Sequence, residues 1–302
     1  MAIESPSQSP SPSPSQAARL LSRTNAVKTT TGLAPGYLQA NLVILPSRYS
    51  SAFQDLCARN PVPCPLLGLT PVGNPQKILP EGCIKHDDFD IRTDFPSYVV
   101  HAEDGKSVRV KTDILDEWTS DHVGFLIGCS FSFEDALTRN GLRICHQLAG
   151  NVVAMYQSTI PVLPAGVFWG SSMVVSMRTY LPSEIERVRD ITRPFLATHG
   201  EPVAWGWEGA KSIGVRDIHN PDFGDAQEFK EGEVPVFWVC RSPHYHNVAC
   251  GVTPQVAVRH AVRAGRVQGV TMAHEPGHML VTDWTVEDLP RIPGRIAELG
   301  RV

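Results

Sequence analysis

The sequence lacks several features that mark large classes of proteins. No apolar run approaches the roughly 18 residues that a membrane-spanning helix needs. Lys and Arg never reach four in a row and the net charge is −4, so nothing indicates a nucleic-acid-binding surface. A Gly-rich dinucleotide fingerprint is missing as well, and no redox cofactor is therefore expected. We expect a soluble protein whose partner is a small molecule, not a nucleic acid or a membrane.

The use of cysteine favours a reducing compartment. The seven cysteines are an odd number, and no apolar secretory segment is found in this chain of 302 residues. Free thiols explain this pattern better than a disulfide framework does, so we expect a cytoplasmic protein. The mitochondrial matrix is the alternative, because residues 17–28, AARLLSRTNAVK, are mildly basic and amphipathic.

The composition divides the chain into a leading segment and a folded body. Residues 1–16, MAIESPSQSPSPSPSQ, are a Ser-Pro repeat that is predicted to be disordered. Residues 17–28 are interpreted as a first helix, so the leading segment covers 1–30. Residues 31–302 are predicted to form a single catalytic domain, with two intimately packed lobes as the alternative.

The body is predicted to be a mixed α/β (α+β) fold with mixed sheets, short strands, long ordered loops and a few helices. The 25 prolines and 24 glycines provide dense turn signals. Strands and helices do not alternate regularly, which argues against a Rossmann fold or a TIM barrel. The predicted strands are Tyr98–His101, Ser107–Lys111, Val123–Gly128, Val167–Met177 and Val234–Val239. The predicted helices are Ser183–Thr198 and one that starts at Thr253.

The segment 123–134, VGFLIGCSFSFE, carries the strongest functional signal. A buried strand ends in Gly-Cys-Ser and a helix follows, so the bend lies at a helix N-terminus, where backbone N–H groups favour an anion. We expect Ser130 and Ser132 to bind a carboxylate there. Cys129 is a candidate nucleophile. The alternative is that Cys129 is a small buried residue and Ser132 a helix cap.

A second candidate is the segment 274–278, HEPGH, which matches the zinc-protease pattern of two His with an intervening Glu. That pattern needs an unbroken helix, and Pro-Gly in its middle disfavours one. We therefore interpret the segment as a loop in which His274 and His278 are candidates for proton transfer. A structural role for either histidine is the alternative. No metal site is predicted, although a divalent cation that polarises a carboxyl group stays an option.

Many segments of the chain resemble the family of hydro-lyase and D-glutamate cyclase-like proteins. The resemblance runs from about residue 32 to 284. The segments that carry it are LAPGYLQANLVILP (33–46), NPVPCPLL (60–67), DIRTDFPSY (90–98), GFLIGCSFSFEDAL (124–137), NVVAMYQSTIP (151–161), PAGVFWGSSMVVSMR (164–178), HNPDFGDA (219–226), CGVTPQ (250–255) and HEPGHMLVTD (274–283). The chain departs from the family in an insertion at 241–249 and in Glu275, where the family usually has Ala.

The resemblance implies a carbon–oxygen lyase that converts D-glutamate into 5-oxo-D-proline and water. In such a reaction the amine attacks the γ-carboxyl carbon, and holding both ends of the substrate supplies much of the catalysis. We expect His274 or His278 to act as the base and Glu134 as an acid if burial raises its pKa. The remaining candidate substrate-binding residues lie in matching segments: Arg92, Asp94, Tyr156, Arg178, Cys250 and Thr253.

Two other functions stay open at this stage. The first is an amidohydrolase in which Cys129 forms an acyl-enzyme. The second is a non-catalytic protein that binds small carboxylates or amino acids. A homo-oligomer is compatible with either function and with the lyase.

Overall fold

The computed structural model describes residues 11–103, 107–239, 253–275 and 277–301. This part of the chain contains eight α-helices and eleven strands. The helices are α1 Pro14–Arg23, α2 Ser50–Arg59, α3 Phe131–Arg139, α4 Cys145–Leu148, α5 Ile185–Thr192, α6 Gly206–Ser212, α7 Thr253–Arg263 and α8 Ile292–Ala297. The strands are β1 Tyr37–Pro46, β2 Leu66–Leu69, β3 Tyr98–His101, β4 Val108–Lys111, β5 His122–Gly128, β6 Ala154–Pro161, β7 Ser172–Tyr180, β8 Ala204–Trp205, β9 Val234–Val239, β10 Thr271–His274 and β11 Leu280–Thr285.

The strands form two antiparallel sheets. The large sheet has the order β2-β5-β1-β10-β3-β4, and β11 also pairs with β1. The small sheet has the order β6-β7-β9-β8. The expected mixed α/β class is confirmed, but the expectation of mixed sheets is wrong, because all the described strand pairs are antiparallel. Within the described residues, no helix is both long and apolar enough to cross a lipid bilayer.

Strand β1 is the centre of the large sheet. Its apolar residues alternate between two buried clusters, because successive side chains of a strand point to opposite faces. Leu42 faces a cluster that also contains Val236 and Trp238 of the small sheet, so the two sheets share this core. Val43 faces a cluster that is covered by α2 and α7.

The edge of β1 that faces β10 is shared by two strands. Val43 and Ile44 pair with β10, whereas Gln39 and Ala40 pair with β11. The β10–β11 loop, which carries His278 and follows His274 at the end of β10, therefore leaves the sheet beside Asn41. On the other edge of β1, β5 pairs along its full length and ends with Gly128 opposite Ala40. The two segments singled out in the sequence thus flank the same short stretch of β1.

Several predicted elements are confirmed and three are corrected. The hairpin β3–β4, β5, β9 and the start of α7 occur where they were predicted, although the tip of the hairpin lies outside the described residues. The predicted strand at 167–177 starts later and ends later, as β7. The predicted helix at 183–198 is shorter, Ile185–Thr192, and it ends there because Pro194 has no backbone N–H to continue the helical hydrogen bonds. Residues 14–16 belong to α1 and Ser15 is buried, so the prediction of disorder is wrong for them.

Candidate functional site

The bend between β5 and α3 is closely joined to β1. A Cβ at Gly128 would lie 1.9 Å from the carbonyl oxygen of Ala197, so only glycine fits there. The Cys129 amide donates to the Gln39 carbonyl at 3.0 Å, and the Gln39 amide donates to Ser132 Oγ at 3.0 Å. These bonds fix the start of α3 against the strand.

The predicted anion site at this bend is not supported. Cys129 is 2% exposed and Ser130 fully buried. The amides of Ser132 and Phe133 donate to the carbonyls of Cys129 and Ser130, and Ser132 Oγ is taken by Gln39. The groups that were expected to bind a carboxylate are therefore engaged inside the protein. The hydroxyl of Ser132 also does not cap α3, contrary to the alternative interpretation.

Glu134 of α3 and Arg178 of β7 form a buried ion pair. Arg178 Nε donates to Glu134 Oε1 at 3.1 Å, and Nη2 of the same guanidinium also donates to Oε1. Arg178 further donates to Ser176 Oγ at 2.7 Å and to Ser130 Oγ at 3.2 Å. Both charged side chains are 1% exposed. Arg178 is thus committed to an internal network and does not supply the expected anchor for a substrate carboxylate.

The protonation state of Glu134 differs from the sequence expectation. Burial alone would raise its pKa, but the neighbouring His146 and Arg178 outweigh burial and lower the pKa to about 2. His146 Nε2 lies 3.4 Å from Oε1, and Gln147 Nε2 donates to Oε2 at 2.5 Å. Glu134 is therefore a carboxylate at neutral pH. The expected role as a general acid depended on a raised pKa, and the lowered pKa does not support it.

His274 is buried at the end of β10 and is bonded on both sides. Its Nε2 lies 2.8 Å from Asn41 Oδ1, and its Nδ1 lies 2.5 Å from the carbonyl oxygen of Glu275. The ring also stacks on Phe95 at 6.0 Å between centroids. Asn41 Nδ2 in turn donates to the Ile127 carbonyl, so one amide connects this histidine to the strand before the bend. Such contacts suit a positioning role better than proton exchange with a substrate.

His278 is only partly buried in the loop that follows. The loop is held by residue 30: the Thr30 amide donates to the Gly277 carbonyl at 2.8 Å, and the Met279 amide donates to Thr30 Oγ1 at 2.9 Å. Gln39 Nε2 donates to the Thr30 carbonyl at 2.9 Å. The loop that carries His278 is therefore coupled to the same part of β1 as the bend.

A small pocket lies beside the bend. Its volume is 130 Å³, and its walls are the 32–37 segment, Gln39, and the first turns of α3 with Ser132 and Glu134. Gln147 closes one side. A cavity of about 150 Å³ can hold a molecule the size of benzene, so this pocket suits a ligand of several heavy atoms. The pocket is therefore our candidate active site.

The structure brings together only some of the predicted site residues. Ser132 and Glu134 line the pocket, whereas Cys129 does not. Thr253 lies at the start of α7, where its Oγ1 accepts from the Val174 amide at 3.1 Å. Cys250 lies outside the described residues. Tyr156 is on the small sheet, and its hydroxyl donates to the Ile218 carbonyl at 2.6 Å. Burial raises the pKa of Tyr156, and the nearby carboxylates of Asp217 and Asp222 raise it further.

The two candidates from the 90–98 segment serve other contacts. Arg92 is bonded to Asp90 at 2.6 Å within its own turn. Asp94 is fully buried and accepts two hydrogen bonds from Arg23 of α1, at 2.5 and 2.8 Å. Asp94 therefore holds the leading helix to the body. The prediction that Asp94 binds the substrate is not supported by these contacts. Among the described residues, no group of three or more His, Cys, Asp or Glu side chains is arranged to hold a metal ion.

Two residues of this region, Gln39 and Asn41, were not predicted from the sequence. Both are polar and nearly fully buried, at 4% and 1% exposure, within a strand that is otherwise apolar. A buried polar side chain needs a hydrogen-bonding partner, so two of them in LQANLVILP are themselves a signal. That signal is present in the sequence, but their partners cannot be identified from it.

Comparison with known proteins assigns the family. The D-glutamate cyclase profile matches residues 123–283. A protein of Schizosaccharomyces pombe named "Putative hydro-lyase C5H10.01" is 46% identical over 270 residues, covering 89% of this chain and 84% of that protein. A "Putative hydro-lyase" of Rhodopseudomonas palustris (strain HaA2) is 45% identical over 269 residues, covering 89% and 90%. One from Geobacillus kaustophilus is 42% identical over 278 residues, covering 91% and 96%. The chain belongs to the D-glutamate cyclase family.

The part matched by the D-glutamate cyclase profile contains much of the candidate site. It covers the bend, α3, the buried pair Glu134–Arg178, His274 at the end of β10 and His278 in the loop that follows. Gln39 and the 32–37 segment precede the matched range and form the opposite wall of the pocket. The pocket of this family member is thus built jointly by its N-terminal strand and the profile region.

Proposed function

We propose that this protein is a hydro-lyase that cyclises a small amino acid, with D-glutamate giving 5-oxo-D-proline and water. The observation that carries the proposal is the 130 Å³ pocket, which adjoins the bend. Its size suits one small amino acid, and one of its walls belongs to the segment that matches the D-glutamate cyclase profile. The names of the relatives support a lyase of the same broad type.

The reaction requires a defined set of bond changes and proton transfers. A bond forms between the amine nitrogen and the γ-carboxyl carbon, and one carbon–oxygen bond breaks. Nitrogen loses two protons and the departing oxygen gains two, so the exchange is balanced and needs no oxidant. His278 is our candidate for this proton transfer, because its loop is bonded through Thr30 to Gln39. We assign His274 the role of fixing the start of that loop through Asn41.

The Cys129 amidohydrolase is disfavoured by the burial of Cys129 and by its position outside the pocket lining. A binding protein without turnover remains the competing function.

We also propose the cytoplasm as the compartment, because Cys83 and Cys145 are free thiols. Fluorescence microscopy of the tagged full-length chain tests this against the mitochondrial matrix.

The proposal is tested by incubating the protein with D-glutamate and L-glutamate and following product by NMR. We expect 5-oxoproline from D-glutamate. His278→Ala should lower turnover by about a hundredfold or more, the usual contribution of a positioned acid or base. His260→Ala, at an exposed position on α7, is the matched control and should leave turnover unchanged. Binding of D-glutamate without any product would assign the protein to the non-catalytic alternative.

A further inference from the structure

The side-chain amide of Gln39 has an unusual environment. Its Nε2 donates to the Thr30 carbonyl at 2.9 Å, and a second carbonyl, that of Leu33, lies 3.5 Å from the same atom. Two carbonyl acceptors around one amide atom identify that atom as nitrogen, so the oxygen must point the other way. That oxygen, Oε1, is buried, and no donor among the described residues bonds to it. A buried acceptor without a donor is costly, typically by about 1–3 kcal/mol, and calls for an explanation.

Gln39 lines the candidate pocket, and the charges there have one sign. The acidic residues Glu134 and Asp135 belong to the lining, whereas no Lys, Arg or His of the described part of the chain does. Glu134 remains ionised because His146 and Arg178 stabilise its charge from the protein interior. The polar groups of this wall are therefore suited to a ligand group that donates hydrogen bonds and carries positive charge.

The outer side of the pocket carries the opposite charge. Arg139 Nη2 lies 3.9 Å from the position that a Cβ on Gly36 would occupy, and Gly36 is part of the pocket wall. Arg139 is 64% exposed, and among the described residues it forms an ion pair with Asp135 of the preceding turn, at 2.9 Å. A guanidinium with this exposure can bind a carboxylate at low desolvation cost. The pocket thus has acceptors inside and a cation at its rim.

We propose that the pocket binds an α-amino acid with its ammonium group on Gln39 Oε1 and a carboxylate on Arg139. Gln39 is then the residue that distinguishes an amino acid from a simple carboxylate of the same size. This inference rests on the proposed function for the choice of glutamate as probe. It goes further, because it assigns the two ends of the substrate to two different residues.

The test compares D-glutamate with glutarate, which has both carboxylates but no ammonium group. Binding of each is measured by titration calorimetry to the wild-type protein and to the variants Gln39→Leu and Arg139→Gln. Wild-type protein should prefer D-glutamate. Gln39→Leu should weaken D-glutamate binding by about tenfold or more and leave glutarate within about twofold, because glutarate has no ammonium group to donate to the lost oxygen. Arg139→Gln should weaken both ligands by similar factors.

Two further variants test whether the effect of Gln39→Leu is specific to the ammonium contact. Gln227→Leu is the matched control, because Gln227 is also buried and its Nε2 also donates to backbone carbonyls, but it lies outside the pocket. It should not alter the preference for D-glutamate. Gln39→Met removes the acceptor but keeps an unbranched side chain of similar length, so the same loss of preference is expected from it even if Gln39→Leu folds poorly.

The outcomes separate the two proposals. Equal affinity of the wild-type protein for D-glutamate and glutarate, or no affinity for either, would overturn the assignment of Gln39. A retained preference in a folded Gln39→Leu protein would do the same. The predicted binding pattern without formation of 5-oxoproline would support the pocket assignment and refute the lyase function.

Discussion

At the scale of single residues, the protonation state of a buried acid is decided by competition between its desolvation and the charges of neighbouring side chains. Glu134 has lost its water, which raises the pKa of a carboxyl group, yet Arg178 and His146 lie close enough to reverse the effect. A buried ion pair is not by itself a source of stability, since its desolvation offsets the attraction. Removal of one partner is different, because it leaves the other charge buried and uncompensated.

Glu134→Gln should therefore lower the free energy of unfolding by about 3–5 kcal/mol, because Arg178 would be left without its counter-charge. The double variant Glu134→Gln/Arg178→Met should recover much of this loss. Urea unfolding measures both. A single variant as stable as the wild-type protein would contradict the assignment of this ion pair.

The same residue predicts a pH dependence. The pKa of Glu134 is lowered from 4.5 in the unfolded chain to about 2 in the folded protein. The folded state therefore binds fewer protons than the unfolded state in this window, so stability rises with pH there. This contribution is fully present above pH 4.5 and is lost as the pH falls through 2. Unfolding free energies measured from pH 6 to pH 2 should fall less steeply for Glu134→Gln/Arg178→Met than for the wild-type protein.

At the scale of elements, local sequence patterns were sufficient to predict some strands but not to predict which residues meet at the candidate site. Strand β9 and the β3–β4 hairpin follow from β-branched runs and turn residues, which act over a few positions. Helix α5 was predicted too long, because the apolar periodicity continues past Pro194, whose missing N–H ends the helical hydrogen bonds. The partners of Glu134 could not be predicted, because Arg178 lies 44 residues away and meets it only through sheet packing.

Helix α1 shows a similar limit, since the composition separated residues 1–30 from the folded body but could not show how the leading helix contacts it. Arg19 and Asp283 form a buried ion pair at 3.1 Å, with 1% and 4% exposure. Ser15 Oγ also donates to Asp283 Oδ1, at 2.5 Å, and the Lys85 amide donates to Oδ2 at 2.6 Å. Together with the pair Arg23–Asp94, these contacts dock α1 on the large sheet.

Asp283→Asn should therefore destabilise the protein by about 3–5 kcal/mol and increase the protease sensitivity of α1, because the Arg19 charge would remain buried without compensation. The matched control is Asp190→Asn, which removes an exposed pair with Arg193 at 2.7 Å and should change stability by less than about 1 kcal/mol. Urea unfolding and limited proteolysis provide the two readouts. Equal effects of the two variants would argue against a docking role for Asp283.

At the scale of the whole molecule, the two sheets are joined by a shared core and by helix α7. Phe133 of α3 packs against Trp238 of the small sheet at 5.4 Å between ring centroids. At the start of α7, Gln255 Nε2 donates to the Leu42 carbonyl of the large sheet at 2.7 Å, and Thr253 Oγ1 accepts from Val174 of the small sheet. Neither sheet can separate without exposing apolar surface and breaking these bonds. We therefore expect one cooperative unit.

This expectation distinguishes a single domain from two lobes that unfold separately. Native-state hydrogen exchange should give similar opening free energies for the amides of β5 and β7, and fluorescence and circular dichroism should report one coincident urea transition. Thr253→Val should lower the protection of both sheets together, by about 1–3 kcal/mol, since it leaves the buried Val174 amide without its acceptor. Thr24→Val, at an exposed position after α1, is the control and should have little effect on either sheet. If β7 lost its protection at a lower urea concentration than β5, the sheets would be independent lobes and the pocket beside α3 would have to be assigned to the large sheet alone.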